Sequence, residues 1–325
     1  MNSILPILSL IIASESVFFT YSDISHENAY ENIMDFIARE SVIPTYTNIP
    51  YANISESQKL DLYIPENINN NIPVIVFIHG GAFMFGSKTD PIANFKYYLD
   101  NGFAIASINY RLSGEAKFPA AVQDAKAAIR WLKANAEKFN FDASKIGVFG
   151  QSAGANIASL VGTTAGISLF DDPNLGNINF SSSVNAVTAM FPPVDFSSMD
   201  SMLEKVCDKS KFPENSPEKE FHNSENSPES LYLGKPIQTD LSLVKMANPV
   251  TYINENTPPF LIQVGDRDCI VGTEQSIYFY NELKNKIGDR NATLHILKNA
   301  GHGDRIFDQK KNALKVIDFF KKHLK

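Results

Sequence analysis

The residue best suited to chemistry is Ser152, which stands between two glycines in the segment Gly150-Gln-Ser-Ala-Gly154. An apolar run from Ile146 to Gly150 predicts a strand before it, and small residues from Ala153 to Thr164 predict a helix after it. A sharp strand-to-helix turn needs small neighbours and lifts the serine oxygen above the sheet edge. The start of the helix also offers a free amide to a developing oxyanion. The pattern therefore predicts Ser152 as a nucleophile beside the Ala153 amide.

A second glycine-rich segment, His79-Gly-Gly-Ala-Phe83, directly follows an apolar run from Pro73 to His79 that predicts a buried strand. Because glycine lets the backbone approach a substrate closely, two or three amides here can form an oxyanion hole. A glycine pair after a strand is also typical of a simple turn. The coincidence with the serine turn favours the oxyanion hole.

A general base must come from six histidines: His26, His79, His222, His295, His302 and His323. His26 precedes the first strand, and His222 falls in a polar insertion. His295 lies within a predicted strand, and His323 belongs to the last helix. His79 belongs to the glycine-rich loop. This leaves His302, which stands in a glycine-flanked loop after a predicted strand. Loops at the carboxyl ends of strands are where α/β sheets build their sites.

Two aspartates compete for the role of the acid that orients the histidine. Asp266 directly follows a predicted strand, Phe260 to Gly265, and stands next to Arg267, so it suits a turn or an ion pair. Asp268 lies further along the loop that must reach His302. Spacing alone favours Asp268 but leaves Asp266 open.

Alternating strand and helix patterns supply the elements that position these residues. Further strands are predicted at Lys59 to Pro65, Phe103 to Tyr110, Asn185 to Met190 and Ala292 to Lys298. Helices are predicted at Pro119 to Asn140, Gln275 to Lys286 and Asp308 to His323. This alternation is typical of a mostly parallel sheet covered by helices on both faces.

The alternation breaks at about residues 196–248, a segment rich in Asp, Glu, Lys, Ser and Pro with no sustained period. Long segments of this kind inside a compact domain are commonly functional loops. We expect a cap or lid inserted between two strands. No linker or internal repeat divides the rest of the chain, which predicts one catalytic domain over residues 17–325.

Nine segments spread over most of the chain carry a family likeness: His79-Gly-Gly-Ala-Phe, Asn109-Tyr-Arg-Leu, Phe118-Pro-Ala, Asp124 to Trp131, Gly150-Gln-Ser-Ala-Gly, Ser227-Pro-Glu-Ser, Ala247-Asn-Pro, Gly265-Asp-Arg-Asp and Ala300-Gly-His-Gly. Together they resemble the carboxylesterase branch of the α/β hydrolases, which includes hormone-sensitive-lipase-like, feruloyl and acetylxylan esterases. The resemblance implies the α/β-hydrolase fold, whose triad runs in the order Ser, Asp, His.

The same resemblance implies roles for individual residues. In relatives of this pattern the acid is the aspartate three residues before a valine, which corresponds to Asp268 ahead of Val271. The oxyanion amides would be those of Gly81, Ala82 and Ala153. Ala82 stands where a third glycine is common, a change that keeps the amide. The polar insertion is individual to this chain and leaves acyl and alcohol specificity open.

These residues predict a serine esterase that works through an acyl-enzyme and needs no cofactor or metal. The expected substrate is a small-molecule or polysaccharide-linked ester, either a short-chain ester or a feruloyl or acetyl ester of the plant cell wall. A peptidase with the same triad and a non-catalytic binding protein on the same scaffold are the alternatives. The chain lacks a propeller domain of the oligopeptidase type, and its complete triad argues against a binding protein.

The N-terminus contains an apolar run from Ile4 to Ile12 followed by small residues, which predicts a secretory signal peptide over residues 1–16. No Lys or Arg precedes the run, and a helix or strand packed on the domain is the alternative. The run is too short for a transmembrane helix, so we expect no stable membrane insertion. Glycosylation sequons occur at Asn53, Asn179 and Asn291. Together these features predict a secreted glycoprotein.

The chain has two cysteines, Cys207 and Cys269, and an oxidising compartment would permit one disulfide between them. Two unpaired core thiols are the alternative. Neither cysteine has a partner at metal-ligand spacing.

Composition limits the remaining function classes. A chain of 325 residues with 44% hydrophobic content can bury one large core. The formal net charge of −7 and the lack of a basic stripe exclude a nucleic-acid partner. Nothing in the sequence indicates an oligomeric state.

Overall fold

The computed structural model describes residues 42–325 except 67, 69, 91–92, 214–215, 217–218 and 220. The predicted signal peptide lies outside the described residues. Within them the strands are β1 (Tyr46–Pro50), β2 (Lys59–Tyr63), β3 (Ile72–Ile78), β4 (Ala104–Ile108), β5 (Phe141–Gln151), β6 (Ala186–Met190), β7 (Phe260–Gly265) and β8 (Ala292–Leu297). They form one sheet in the order β1-β2-β4-β3-β5-β6-β7-β8. The pairs β1/β2 and β2/β4 are antiparallel, and all the others are parallel.

The α-helices in the same part of the chain are α1 (Phe95–Asp100), α2 (Ala120–Ala134), α3 (Ala136–Phe139), α4 (Ala153–Thr163), α5 (Met199–Leu203), α6 (Pro228–Leu233), α7 (Leu241–Ala247), α8 (Thr273–Ile287) and α9 (Lys310–Leu324). Short 3₁₀ helices occupy Ser168–Phe170, Pro173–Leu175, Phe196–Ser198, Lys209–Lys211, Ile237–Thr239, Pro249–Tyr252 and Arg305–Phe307. None of the helices described here is both long and apolar enough to cross a membrane.

The sheet separates two hydrophobic cores. Every residue of β3 is buried, which explains why its sequence is apolar without alternation. Val74 and Val76 pack into the core that contains residues of α2, α4 and α8, whereas Ile75 and Phe77 pack into the core with α1 and α9. Burial of such a side chain stabilises the fold by about 1.5–3 kcal/mol. The prediction of an α/β-hydrolase sheet with helices on both faces is confirmed.

Strand register brings the predicted site residues to one edge of the sheet. In the parallel pairs, Ile78 at the end of β3 lies opposite Gly150, and Gly150 lies opposite Ala189. At the other side of the sheet Gly265 lies opposite Leu297. Because the strands end together, the segments that follow β3, β5, β7 and β8 meet at the same edge.

The structure differs from the sequence-based elements in several places, three of which have a clear physical reason. The edge strand β1 was not predicted, because most of its residues are exposed and show no apolar alternation. The segment predicted as one helix up to Asn140 forms α2 and α3, and Asn140 ends α3 in the left-handed conformation with φ 58°. The insertion between β6 and β7 contains helices of five to seven residues, which are too short to show a helical period.

Candidate active site

Ser152 occupies a strained turn between β5 and α4. Its φ of 52° and ψ of −122° lie outside the ordinary regions for a residue with a side chain. The flanking glycines are required by close approach: a Cβ on Gly150 would lie 2.1 Å from the Gly154 carbonyl oxygen, and one on Gly154 would lie 2.2 Å from that of Ile78. The Ser152 amide donates to the Met190 carbonyl oxygen at 2.9 Å. These contacts hold the serine above the ends of β3 and β6.

The structure brings Ser152, His302 and Asp268 into one hydrogen-bonded chain. The distance from Ser152 Oγ to His302 Nε2 is 2.9 Å, and that from His302 Nδ1 to Asp268 Oδ2 is 2.8 Å. An ionised carboxylate only accepts, so Nδ1 carries the proton and Nε2 is free to accept from the serine hydroxyl. This arrangement activates a serine for attack on a carbonyl carbon.

Asp268 is held as an ionised acceptor inside the protein. It is 1% exposed, and its Oδ1 accepts from the amides of Ile270 and Val271 at 3.0 Å each and of Gly272 at 3.4 Å. Burial opposes ionisation, but His302 and these amides outweigh it, so the pKa of the Asp268 carboxyl lies below its ordinary value.

Asp266, the other candidate for the acid, makes its contacts outside this chain of hydrogen bonds. Its Oδ1 accepts from the Asn299 amide at 2.6 Å, and its Oδ2 lies 3.3 Å from Lys298 Nζ. These contacts join the ends of β7 and β8. The structure thus gives Asp266 a turn and ion-pair role.

Phe191 supports the histidine and was not singled out in the sequence. Its ring meets the His302 ring edge-to-face with centroids 4.6 Å apart, and it packs in the same way on Phe307 at 4.8 Å. Its positive φ of 43° directly after β6 is an unusual backbone state for a bulky residue, and no sequence pattern signals it.

The glycine-rich loop after β3 lies beside Ser152. Gly81 has φ 110°, and a Cβ there would lie 2.3 Å from the Phe85 carbonyl oxygen. The amides of Gly81 and Ala82 donate no hydrogen bond within the part of the chain that the structure describes. The Ala153 amide opens α4, where helix amides have no intrahelical acceptor. All three are therefore available to an oxyanion.

The Asn109-Tyr-Arg-Leu segment contacts the start of this loop through Tyr110 and is itself held to α2 through Arg111. The Tyr110 hydroxyl donates to the His79 carbonyl oxygen at 3.0 Å, and the two rings stack with centroids 4.4 Å apart. Arg111 makes a bidentate contact with the fully buried Asp124, with distances of 2.8 and 2.9 Å. The Tyr110 contacts hold the backbone that precedes the oxyanion amides.

The insertion covers the other side of the loop. Phe83 stacks on Tyr232 of α6 with ring centroids 3.9 Å apart, and it meets Phe196 edge-to-face at 6.0 Å. All three rings are buried. The loop is thus wedged between the sheet edge and the insertion, which restricts its motion.

A pocket of about 240 Å³ opens onto Ser152. It is lined by residues of the glycine-rich loop, of the serine turn, of the insertion and of the loop after Asp268, including Ala82, Phe85, Pro228, Glu229 and Val271. A wider depression of about 660 Å³ surrounds Cys207 and has no triad residue in its wall. Only the smaller pocket combines a nucleophile with oxyanion amides.

His222, set aside in the sequence as part of the polar insertion, lines this pocket and is 7% exposed. Its Nδ1 lies 3.0 Å from Glu229 Oε2, and its Nε2 lies 2.8 Å from the Ile270 carbonyl oxygen. The carboxylate of Asp200 accepts from the His222 and Asn223 amides. In the sequence, the only signal near this pair is the Ser227-Pro-Glu-Ser segment, which contains Glu229.

The His222 pair predicts a pH-dependent stability. Burial alone would lower its pKa, but Glu229, the Ile270 carbonyl and Asp200 raise the pKa of the imidazole above its ordinary 6.5. A folded-state pKa above the unfolded value stabilises fully below pH 6.5 and less as pH rises through the folded-state pKa. Urea unfolding should therefore show a larger loss of stability in His222→Gln at about pH 6 than at about pH 9.

His323 provides the opposite control for this measurement. Burial and the nearby Lys322 lower its pKa, so the stability that its neutral form contributes should be lost as pH falls. The penalty of His323→Gln should therefore grow with pH. If the His222→Gln penalty also grew with pH, the charged His222–Glu229 pair would be contradicted.

A disulfide joins the insertion to the acid loop. Cys207 follows α5, and its partner Cys269 is the residue directly after Asp268. The insertion is thus tied to the loop of the triad acid twice, by this bond and by the hydrogen bond from His222 to the Ile270 carbonyl.

Removal of the disulfide should destabilise the fold. Closing a loop with a sequence separation of 62 residues limits the unfolded chain. It contributes about 4 kcal/mol to the free energy of unfolding in the chain-entropy treatment. We expect the Cys207→Ser/Cys269→Ser double variant to lose about that amount in urea unfolding. Wild-type protein with a reductant should show the same loss, and a loss below about 1 kcal/mol would contradict the expectation.

A model of one protein family, described as BD-FAE, matches residues 60–283. Among characterised proteins, the chain is similar to esterase LipC from Mycobacterium tuberculosis, with 30% identity over 73% of this chain and 54% of LipC. It therefore spans about half the length of that relative.

Two solved structures are also similar. A truncated carbohydrate esterase from gut microbiota superimposes with a TM-score of 0.75 and 31% identity, over 87% of this chain and 97% of the other. A bifunctional GH43-CE protein from Bacteroides eggerthii gives a TM-score of 0.72 and 33% identity, over 86% of this chain and 38% of the other.

Proposed function

Because this chain belongs to the BD-FAE family of α/β-hydrolase carboxylesterases, we propose that it is a serine carboxylic ester hydrolase that works through an acyl-enzyme. The observation that carries the proposal is the hydrogen-bonded chain from Ser152 through His302 to Asp268. Its position beside the free amides of Gly81, Ala82 and Ala153 gives a nucleophile, a base and an oxyanion hole at one pocket.

In the first half-reaction the Ser152 oxygen attacks the ester carbonyl carbon while His302 Nε2 takes the hydroxyl proton. The negative charge that develops on the carbonyl oxygen is stabilised by the amides of the oxyanion hole, each contributing about 3 kcal/mol to transition-state stabilisation. Asp268 stabilises the imidazolium without being protonated. When the tetrahedral intermediate collapses, His302 gives the proton to the departing alcohol and the acyl group remains on Ser152.

In the second half-reaction a water molecule takes the place of the alcohol. His302 accepts one of its protons as the water oxygen attacks the acyl-enzyme, and the same amides stabilise the new oxyanion. Collapse returns the proton from His302 to Ser152 and releases the carboxylic acid. Each bond made to Ser152 is broken again, so no cofactor takes part in this scheme.

The substrate that we propose is a short-chain ester on a carbohydrate. The pocket of about 240 Å³ is smaller than the ~300–1,000 Å³ typical of sites for drug-sized ligands, so it suits a short acyl group. The carbohydrate esterase neighbour matches almost along its whole length, which supports a sugar as the alcohol.

Initial rates on matched p-nitrophenyl esters test the esterase activity and the preference for a short acyl group. We expect kcat/KM to be highest for acetate or butyrate and at least about tenfold lower for octanoate, because the long chain cannot enter the pocket. Acetylated xylan then tests the carbohydrate alcohol, and methyl ferulate tests whether a feruloyl ester is also hydrolysed. A preference for octanoate would contradict the short acyl site, and no hydrolysis of any ester by folded protein would contradict the esterase.

We further propose that the protein acts outside the cell as a glycoprotein. The Cys207–Cys269 disulfide supports an oxidising compartment. The side chains of Asn53, Asn179 and Asn291 are exposed, as attachment of a glycan requires. Mass spectrometry of protein recovered from the culture medium of its natural host would test both the location and the glycans.

A further inference from the structure

Glu229 is a buried carboxylate in the wall of the candidate active-site pocket. It is 4% exposed, and it lines the same pocket as Ser152 and Ala82. His222 is the only other ionisable residue among the described residues that line this pocket, and most of the remaining wall is apolar. A charge in such a wall carries a large desolvation cost unless its oxygens are supplied with donors.

Among the described residues, only one oxygen of this carboxylate has a hydrogen-bond donor. Oε2 lies 3.0 Å from His222 Nδ1. The Ile270 carbonyl oxygen only accepts, so the other ring nitrogen of His222, Nε2, donates to it, and Nδ1 shares its hydrogen bond with Glu229 Oε2. Oε1 receives no hydrogen bond from any residue within the described chain. The second oxygen is therefore an unused strong acceptor at the pocket.

We propose that Glu229 is a substrate-binding residue whose Oε1 accepts a hydrogen bond from a free hydroxyl of the ester substrate bound in this pocket. A hydrogen bond to an ionised carboxylate is about twice as strong as one between neutral groups. A polar pocket group that a hydroxyl-free analogue leaves unpaired discriminates strongly against that analogue. Glu229 thus selects hydroxylated esters over simple alkyl esters.

Phe85 adds an apolar surface to the same site. Its side chain is 59% exposed although it lines the pocket, in contrast to the neighbouring Phe83, which is 1% exposed. An exposed aromatic ring in the same pocket as a carboxylate acceptor suits the flat apolar face of a hydroxylated ring. Both a sugar alcohol and a phenolic acyl group have this chemistry, and the experiment must separate them.

The inference rests on the proposed esterase function, so the first measurement is hydrolysis of p-nitrophenyl acetate by the wild-type protein. The first arm then compares methyl 2-O-acetyl-β-xylopyranoside with its 3-deoxy and 4-deoxy analogues. The second arm compares methyl ferulate with methyl 3,4-dimethoxycinnamate, which lacks the phenolic hydroxyl. In one arm we expect the hydroxylated ester to be favoured about ten- to hundredfold in kcat/KM.

Variants connect this preference to Glu229. Glu229→Gln removes the charge at nearly constant shape, and the preference for the hydroxylated ester should fall about tenfold, mainly through KM. Glu225→Gln removes a charge from an exposed residue of the same segment and should keep the preference. If Glu229→Gln does not fold, Glu229→Asp is the second variant. It keeps a carboxyl group on the side of His222, but the shorter side chain moves the acceptor oxygen away from the pocket, so the preference should again fall.

Each outcome of these measurements leads to a different conclusion. A preference that is present in the wild type and reduced in the Glu229 variant supports the proposal and, by its arm, assigns a sugar or a phenolic hydroxyl. Equal rates for each pair in the wild type, or a preference that survives in the folded Glu229 variant, overturn it. No hydrolysis of p-nitrophenyl acetate would instead reject the esterase function on which the proposal rests.

Discussion

Replacement of Ser152 with alanine should lower kcat for ester hydrolysis about a million-fold while the fold stays intact. The effect is this large because the Ser152 Oγ is the only hydroxyl hydrogen-bonded to His302 Nε2 among the described residues, at 2.9 Å. Without it the pocket keeps an oxyanion hole and a base but cannot form an acyl-enzyme. Initial rates with p-nitrophenyl acetate measure the loss, and a fluorophosphonate probe should cease to label the protein.

Ser159 provides the matched control for this prediction. It lies in the same helix, α4, and its hydroxyl donates to the Ala155 carbonyl oxygen, away from the pocket. Ser159→Ala should therefore keep kcat within about tenfold, because it removes one neutral hydrogen bond. If Ser152→Ala retained more than about a thousandth of wild-type activity, water attack assisted by His302 alone would have to replace the acyl-enzyme.

Most of the sheet could be predicted because its strands are either fully buried or followed by glycine motifs. β3 is a continuous apolar run and β7 is apolar apart from Gln263, since both faces of these strands are covered, and such runs stand out in the sequence. β1 lies at the sheet edge, exposed, and carries no comparable signal. The insertion is held together by caps, aromatic contacts and a disulfide rather than by periodic apolar faces, so its short helices could not be predicted.

In the site, too, residues that belong to local sequence motifs could be predicted, whereas contacts between distant residues could not. Ser152, the glycine-rich loop and the loop with His302 are recognisable because close backbone contacts there demand glycine at fixed spacing. Asp268 could be separated from Asp266 only through a family resemblance, since the decisive contact, with His302, spans 34 residues. His222 and Glu229 could not be recognised as pocket residues, because the sequence of a polar insertion does not show which of its charged side chains are buried.

The insertion contacts both the oxyanion loop and the loop that carries the triad acid. One side of it stacks Tyr232 on Phe83 in the oxyanion loop, and the other is tied to the acid loop through Cys207 and His222. Residues that line the pocket are thus placed by the same segment that is bonded to the loop of the triad acid. Changes in the insertion should alter KM and kcat together, as expected for a segment that completes the site.

Replacement of Asp268 with asparagine should lower kcat about ten-thousandfold at neutral pH. Asp268 Oδ1 accepts from the amides of Ile270, Val271 and Gly272, so an asparagine must keep its carbonyl oxygen at that position. Its NH₂ group then faces His302 Nδ1 and favours the tautomer in which Nε2 carries the proton. That tautomer cannot accept the proton of Ser152, so the nucleophile is not activated. Initial rates of ester hydrolysis at neutral pH measure the loss.

Asp266→Asn tests whether the effect belongs to the acid role and not to a lost carboxylate near the site. Asp266 pairs with Lys298 and accepts from the Asn299 amide, so its loss should change kcat by less than about tenfold. Thermal unfolding of both variants excludes a folding defect as the cause. If Asp266→Asn were the inactive variant and Asp268→Asn remained active, the acid would be Asp266 and the hydrogen bond from His302 to Asp268 would have no catalytic role. The three amides that donate to Asp268 Oδ1 argue that Asp268 is the acid. They stabilise the ionised carboxylate and leave Oδ2 as the oxygen that meets the histidine.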